Sequence, residues 1–309
     1  MYFCLIGAII IKVNAVNKRK VEFMANKVII ASDSTSDLSP ELIKKYNIPI
    51  VPLSVNFGDE KFTDGVDIDP EYIYNRYQET KELPKTSAAN LDEFIEFFKK
   101  LTADGSEAVI FTISSEMSST FNNARLAAEE VGNVYVVDSR NLSTGSGLLV
   151  LNACELANDG YSAKDIAEKS REIAKFVDAS FVIDSLEFLY KGGRCSGLAA
   201  FGANLLSLKP CINVKQGKMG VGKKYRGKYE ITLEQYIKER LSDLDDIDNK
   251  RVFITHAGCS DEIVNKCAAL VKKFGKFEEI LVTRAGCTVS SHCGRNTLGI
   301  LFIRKSEVI

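Results

Sequence analysis

Histidine is scarce in this sequence, and its cysteines are widely spaced. Among 309 residues there are two histidines, His256 and His292, and eight cysteines that form no Cys-x-x-Cys pair. A structural zinc site usually draws on paired ligands that lie close together in sequence, so this spacing argues against zinc. We therefore expect no metal and no cofactor, and we expect the cysteines to be buried free thiols in a reducing compartment.

An excess of charge of one sign is also lacking. The chain has 40 Lys and Arg against 41 Asp and Glu, which gives a formal net charge of −1. A general nucleic-acid-binding protein normally carries an excess of basic residues, so no nucleic-acid partner is expected. With 45% hydrophobic residues the chain is too apolar to be disordered, and its length predicts about two domains.

The apolar run at the N-terminus is too short to cross a membrane. Residues 2–11 are apolar, whereas a spanning helix needs about 17–25 residues. The basic residues at 18–20 follow this run instead of preceding it, which is unlike a secretory signal peptide. We expect a cytoplasmic protein without stable membrane insertion, whose folded part begins near Met24. Residues 1–23 are then an extension or an upstream start, and a short membrane anchor is the alternative.

Motifs for nucleotide binding and for ester hydrolysis are missing. No Gly-x-Gly-x-x-Gly follows an expected strand, and no Gly-x-Ser-x-Gly occurs. Residues 217–224 nearly match a P-loop, but Lys224 stands where a Ser or Thr must bind Mg²⁺. The flanking residues alternate as in a β-hairpin, not as in a strand that leads into a helix. The sequence therefore predicts no nucleotide site at this loop.

The first half of the chain alternates between strand and helix signals. Strands are expected at residues 28–31, 48–56, 108–113 and 134–137. Helices are expected to begin after the capping residues Ser39, Asp69 and Asn90. This repeated strand–turn–helix order is typical of a parallel sheet flanked by helices.

In the second half of the chain the expected strands and helices follow a different order. Strands are expected at residues 181–183, 211–214, 223–229, 251–256, 280–283 and 298–304. Helices are expected at residues 162–176, 234–244 and 261–274. A hairpin around residues 216–217 within this half predicts a mixed sheet. We expect two α/β domains, the first at residues 24–170 and the second at residues 171–309.

Small hydroxyl residues cluster after several expected strands. They occupy residues 32–36, 86–87 and 114–120. Ligands of parallel α/β sheets bind beyond the carboxyl ends of the strands, where helix N-termini offer free N–H groups. Hydroxyls and amides without a cluster of Lys or Arg suit one modest anion, such as a carboxylate. The alternative is that each hydroxyl only caps a helix.

Five short motifs occur in order along the chain. They are Ser-Asp-Ser-Thr-Ser-Asp-Leu at 32–38, Lys-Thr-Ser at 85–87, Ser-Ser-x-x-Ser-x-Thr at 114–120, Leu-Tyr-Lys-Gly-Gly-Arg at 189–194 and Ser-His-Cys-Gly at 291–294. Together they resemble the DegV family of bacterial fatty-acid-binding proteins. The resemblance extends from about residue 27 to the C-terminus.

The resemblance implies a function for each motif. A long-chain fatty acid is expected in an apolar tunnel between the two domains, with its carboxylate held by Thr86, Ser87 and Ser118. Ser115 is a further candidate for this contact, and His292 belongs to the same hydrogen-bond network. Arg194 is expected at the domain junction or at a partner contact.

The resemblance also implies that the chain is a carrier and not an enzyme. Characterised members present the fatty acid to a separate ATP-dependent fatty acid kinase, which forms an acyl phosphate for phospholipid synthesis. Two alternatives stay open from the residues alone. One is an enzyme that processes an acyl ligand with a Ser or Thr hydroxyl and His292, and the other is a binder of another small carboxylate.

Some positions depart from the family pattern or allow two interpretations. Ser119 stands where the family commonly has Gly, and Arg295 stands where it commonly has Pro. Arg295 is expected either to strengthen anion binding or to face solvent. The largely apolar residues 198–210 are expected to form a core helix or to line the tunnel.

Overall fold

A computed structural model describes residues 27–196 and 208–308 of the chain. The expected extension at residues 1–23 lies outside the described residues. So do positions 197–207, which contain most of the apolar segment 198–210.

The described residues form strands and helices in alternation. The strands are β1 (Val28–Asp33), β2 (Ile50–Val51), β3 (Ser54–Phe57), β4 (Glu60–Thr63), β5 (Lys85–Ser87), β6 (Glu107–Thr112), β7 (Val134–Asp138), β8 (Val177–Ile183), β9 (Cys195–Ser196), β10 (Leu208–Lys215), β11 (Lys218–Arg226), β12 (Ile247–Ala257), β13 (Glu279–Arg284) and β14 (Thr297–Arg304). The helices are α1 (Pro40–Tyr46), α2 (Pro70–Thr80), α3 (Leu91–Leu101), α4 (Thr120–Val131), α5 (Thr144–Asn158), α6 (Ala163–Ile173), α7 (Glu187–Gly192), α8 (Tyr229–Arg240), α9 (Asp261–Phe274) and α10 (Cys287–Cys293). Two 3₁₀ turns lie at Ser34–Ser36 and Ala174–Phe176.

The first domain is built on a parallel sheet with the strand order β2-β1-β6-β7. Helix α3 begins with a capping box between Asn90 and Glu93, and it buries Phe94 and Phe98 against the sheet. Together α3 and α4 cover one face, while α5 and α6 pack against the sheet from the other. Because the helices bury their apolar stripes on both faces, the expectation of a parallel sheet flanked by helices is confirmed.

The second domain is built on a seven-stranded mixed sheet with the order β13-β12-β14-β8-β10-β11-β9. Its β10 and β11 form an antiparallel hairpin around Gln216 and Gly217, as expected. The P-loop-like residues therefore lie in this turn and in β11. Helices α8 and α9 cover the outer face of the sheet. The expected class, two α/β domains of which the second has a mixed sheet, is confirmed.

The expected single strand at residues 48–56 is wrong. The segment is divided into β2, which joins the parallel sheet, and β3, which joins a separate antiparallel sheet of order β4-β3-β5. Pro52 lies between them and has no N–H to donate to a strand ladder, so the ladder is interrupted there. The small sheet and α10 were not expected from the sequence.

Helix α5 lies between the two large sheets. It packs against β1 and β6 of the first domain and against β8, β12 and β14 of the second. Its residues from Thr144 to Leu151 are all buried. A Cβ at Gly147 would lie 2.9 Å from Leu38 Cδ2, so glycine allows α5 to approach the turn after β1.

The chain passes from the first domain to the second between α6 and β8. The expected division between residues 170 and 171 falls within α6, and it stays a prediction. All seven described cysteines are buried thiols outside any disulfide, which confirms that part of the expectation.

Candidate functional site

An open cavity lies where the two domains meet. It encloses about 530 Å³ of empty space, a figure that includes the solvent at its mouth. Its polar lining comes from Thr86, Ser87, Ser118, Arg194, Thr288 and His292. The rest of the wall is formed by apolar side chains and Cys293. Among the described lining residues, Arg194 is the one charged side chain, which suits a single anionic group.

A second, apolar cavity continues the first one inward. The two cavities share Leu142, Val289 and Cys293, and the inner one encloses about 390 Å³ of empty space. Side chains of the mixed sheet form its wall; they include Ala179, Phe181, Val214, Ala257 and Leu301. The two cavities together therefore run from a polar mouth to an apolar interior between the sheets.

Hydroxyl groups at the inner cavity already have hydrogen-bond partners. Thr255 Oγ1 lies 2.6 Å from Thr144 Oγ1 and 3.0 Å from Thr283 Oγ1. Thr297 donates its hydroxyl to the carbonyl of Cys293 at 3.0 Å. These hydroxyls are therefore satisfied by the protein, whereas His256, which also lines this cavity, has a buried Nδ1 without a partner among the described residues.

Thr86 and His292 meet at the polar mouth. Thr86 lies in β5 and pairs with Val55 of β3, while His292 lies in the last turn of α10. Thr86 Oγ1 is 2.8 Å from His292 Nε2, so the contact joins the two domains. Burial, and to a lesser extent the positive charge of Arg194, lowers the pKa of His292 to about 4. The imidazole is therefore neutral at pH 7 and can take part in hydrogen bonding at either nitrogen.

The Gly-Gly-Arg motif fits around the same imidazole. A Cβ at Gly192 would lie 2.4 Å from His292 Nδ1, so a larger residue would displace the ring. Gly193 follows with a φ of +67°, which ends α7 in the left-handed region that favours glycine. Arg194 then donates from Nη1 to the Gly192 carbonyl at 2.6 Å, and its side chain lines the mouth.

The serine candidates are not equivalent in the structure. Ser118 and Ser87 line the mouth, where Ser118 Oγ lies 2.8 Å from Thr120 Oγ1 and Ser87 Oγ accepts from Asn56. Ser115 does not line either cavity, because its hydroxyl donates to Asp138 Oδ2 at 2.5 Å. The structure thus brings Thr86, Ser87, Ser118, Arg194 and His292 together and leaves Ser115 aside.

Two buried acidic side chains of the first domain hold α10 in place instead of lining the cavities. They are Asp37, after β1, and Asp64, after β4. Asp37 accepts from the Gly286 N–H at 2.8 Å, and Asp64 accepts from the Cys287 and Thr288 N–H groups at 2.8 and 3.1 Å. Both carboxyl groups are buried, and desolvation raises the pKa of Asp37 to about 8. Sequence reasoning missed this role, although Gly286 before a short polar helix signals a helix that lacks a cap of its own.

Arg295 does not face the carboxylate region. It forms an ion pair with Glu71, and its guanidinium lies over the ring of Tyr74 at 4.7 Å from the centroid. Glu71 also pairs with Arg284. With 38% of its side chain exposed and no place in either cavity lining, Arg295 fits the expectation that it faces solvent and not the expectation that it strengthens anion binding.

The described residues contain neither a metal-binding cluster nor a membrane-spanning helix. Within residues 27–196 and 208–308, no group of three or more His, Cys, Asp or Glu side chains is arranged to hold a metal ion. In the same part of the chain, no helix has both the length and the apolar character needed to span a membrane.

The fold and the cavities define a class of protein. It has two α/β domains, and at their junction a cavity with polar lining lies next to an apolar cavity. Residues 27–305 match the family model described as "Uncharacterised protein, DegV family". The chain belongs to the DegV family.

Relatives and solved structures agree with this assignment. A DegV domain-containing protein of Caldanaerobacter subterraneus is 31% identical over 283 residues, which cover 90% of this chain and 99% of the relative. A fatty-acid-binding DegV family protein of Thermus thermophilus has a TM-score of 0.82 at 29% identity, covering 90% of this chain and 99% of that one. A stearic-acid-binding protein of Eubacterium ventriosum has a TM-score of 0.80 at 30% identity, covering 89% and 98%.

Proposed function

We propose that this protein binds a long-chain fatty acid at the domain junction, with the carboxylate at the polar mouth and the acyl chain in the inner cavity. The observation that carries the proposal is that a polar cavity and an apolar cavity lie side by side and share three lining residues. Burial of the chain contributes about 0.8 kcal/mol per CH₂. The related proteins from Thermus thermophilus and Eubacterium ventriosum, which bind fatty acid and stearic acid, support the same ligand class.

The carboxylate would be held by donors from both domains. A buried carboxylate is costly unless several groups donate to it. Thr86, Ser87 and Ser118 supply hydroxyls from the first domain, and His292 of the second domain bonds to Thr86 through Nε2 and so orients that hydroxyl. Arg194 adds a positive charge at the mouth, which favours the ionised acid. Ser115 has no part in this cradle, because Asp138 already accepts its hydroxyl hydrogen.

We further propose that the protein is a carrier that presents the carboxylate to a separate ATP-dependent fatty acid kinase, for acyl-phosphate formation and phospholipid synthesis in the cytoplasm. Arg194, which lines the polar cavity, is exposed, so the carboxylate would lie beside a side chain that a partner can reach. Gly217 and Lys218 of the near-P-loop lie at the turn of a hairpin and at the start of its second strand. The ATP chemistry would then belong to the partner.

The geometry favours a carrier over an acyl-processing enzyme. A nucleophilic hydroxyl with a histidine base needs a third group that orients the imidazole. Nδ1 of His292 has no hydrogen-bond partner among the described residues, and it faces Gly192. The contact between Thr86 and His292 is therefore better suited to holding a carboxylate than to activating a nucleophile.

Lipid extraction followed by mass spectrometry tests the proposal. Purified protein is expected to release about one long-chain fatty acid per chain, and delipidated protein is expected to take up oleate or palmitate. Protein that yields no lipid and takes none up would contradict fatty acid binding. The carrier role is tested separately, by adding ATP and a purified fatty acid kinase and assaying acyl phosphate. Loaded protein that supports no acyl phosphate formation would contradict the carrier role alone.

A further inference from the structure

Helix α10 begins without a cap of its own. Its N-cap residue is Gly286, which has no side chain to accept a hydrogen bond from the first turn. The N–H groups at the start of a helix have no partner within the helix and need an acceptor from elsewhere. In α10 that acceptor comes from the other domain, because Asp37 and Asp64 accept from Gly286, Cys287 and Thr288.

The two carboxylates are themselves held in place within the first domain. Ser143 donates its hydroxyl to Asp37 Oδ2 at 2.5 Å. Ser34 donates to Asp64 Oδ2 at 3.0 Å, and the same oxygen of Ser34 accepts from the Leu53 N–H at 3.1 Å. The acceptors for α10 are therefore fixed by the turn after β1 and by the strands of the first domain.

The other end of α10 also contacts the first domain. His292 in its last turn bonds to Thr86 of β5. Strands β5 and β4 belong to the same three-stranded sheet, and Asp64 directly follows β4. The helix thus spans from buried carboxylates to the mouth of the cavity. A helix of seven residues is not stable alone, so its orientation depends on these end contacts together with its packing against α2 and α7.

We propose that Asp64 and Asp37 are positioning residues for His292, which fix the imidazole at the cavity mouth by capping α10 from the opposite domain. This inference rests on the proposed fatty acid site for its functional consequence. Acceptors at a helix N-terminus satisfy the N–H groups of the first turn, and the loss of such a cap destabilises that turn. When the cap is lost, α10 shifts and the imidazole leaves its place beside Thr86.

The test compares two buried acidic side chains of the first domain that each accept three hydrogen bonds. Asp64 accepts from Ser34 Oγ and from two N–H groups of α10. Asp33 accepts from Thr35 Oγ1, Thr35 N and Ile113 N, none of which belongs to α10. Asp64→Asn and Asp33→Asn each place an NH₂ group among three donors. They differ in that Asp64 bonds to α10 directly, whereas Asp33 caps the turn Ser34–Ser36 and reaches α10 only through it.

Imidazole NMR reads out the position of His292 directly. The chain has only two histidines, so the imidazole signals are few and can be assigned. In Asp64→Asn, the titration of His292 is expected to rise from about 4 toward the ordinary pKa. Fatty acid affinity is expected to fall roughly tenfold, as for the loss of one helix cap. Asp33→Asn is expected to leave the titration of His292 unchanged.

Two outcomes would overturn the inference. One is an unchanged His292 titration in folded Asp64→Asn, and the other is an equal change in Asp33→Asn. If Asp64→Asn does not fold, Ser34→Ala removes one support of Asp64 and is expected to shift His292 in the same direction; no shift there would also overturn it. A wild-type protein that binds no fatty acid would contradict the proposed function, while the His292 titration would still decide the positioning role.

Discussion

Thr86 Oγ1 lies 2.8 Å from His292 Nε2, although 206 positions separate the two residues in the chain. The contact joins β5 of the first domain to α10 of the second at the polar mouth of the cavity. Both side chains line that mouth, so a ligand carboxylate placed there would meet groups from both domains. The hydrogen bond therefore ties the relative position of the two domains to the geometry of the site.

Removal of the Thr86 hydroxyl should weaken both the site and the fold. Thr86→Val keeps the side-chain volume but leaves a half-buried imidazole nitrogen without its partner, which costs about 1–3 kcal/mol. We expect a lower free energy of unfolding in urea and about tenfold or more weaker fatty acid binding in a fluorescence competition assay. Thr86→Ser is the matched control and should retain both properties. Equal losses in the two variants would contradict a role for the hydroxyl.

Gly192 should tolerate no Cβ. In Gly192→Ala the new methyl would lie 2.4 Å from His292 Nδ1, so the imidazole must move away from Thr86. We expect a changed His292 signal in imidazole NMR and a loss of bound fatty acid after purification. Gly220→Ala is the control, because a Cβ there would meet nothing within 4 Å. Full lipid content in Gly192→Ala would show that the position of the imidazole does not matter for binding.

His292 should make the fold less stable in acid. Its pKa is about 4 in the folded protein and near 6.5 when unfolded, so the unfolded chain binds more protons between these values. The free energy of unfolding therefore falls as the pH drops from 6.5 to 4, by about 3 kcal/mol from this group. His292→Gln should lack this component, which is measured as the difference between the two proteins in urea unfolding at each pH. A difference that stays constant with pH would contradict the expectation.

The inner cavity should set the length of the acyl chain. Ala257 is buried in the wall of this cavity. Ala257→Leu is expected to shift the bound fatty acids toward shorter chains, because added methyl groups take the place of the ligand's hydrocarbon. Mass spectrometry of the bound lipids after growth in a mixed fatty acid supply measures the shift. Ala103→Leu at an exposed turn is the control, and an unchanged length distribution in Ala257→Leu would place the chain elsewhere.

Much of the fold could be predicted because the sequence marks it locally. Helix α3 has its own capping box, and α9 was expected at residues 261–274, as the structure has it. Helix α10 could not be predicted, because it has seven residues, a glycine at its N-cap and partners more than two hundred residues away. The break at Pro52 was readable from the sequence, since proline removes a ladder donor.

The candidate site also contains some residues that local motifs predict and one contact that they do not. The short motifs point to Thr86, Ser118, Arg194 and His292, and these residues line one cavity. The bond between Ser115 and Asp138 depends on the pairing of β6 with β7, which no local pattern fixes. Hydroxyl turns look alike in sequence whether they face a ligand or bind a neighbouring strand end.

The burial of α5 between the two sheets limits how this protein can be recombined. Ten residues of the helix are buried, and they pack against strands of both domains. A chimera that exchanged one domain with a relative at the crossover after α6 would present a foreign sheet to one face of α5. The helix and the inner faces of both sheets must therefore be exchanged together, although the chain forms two domains.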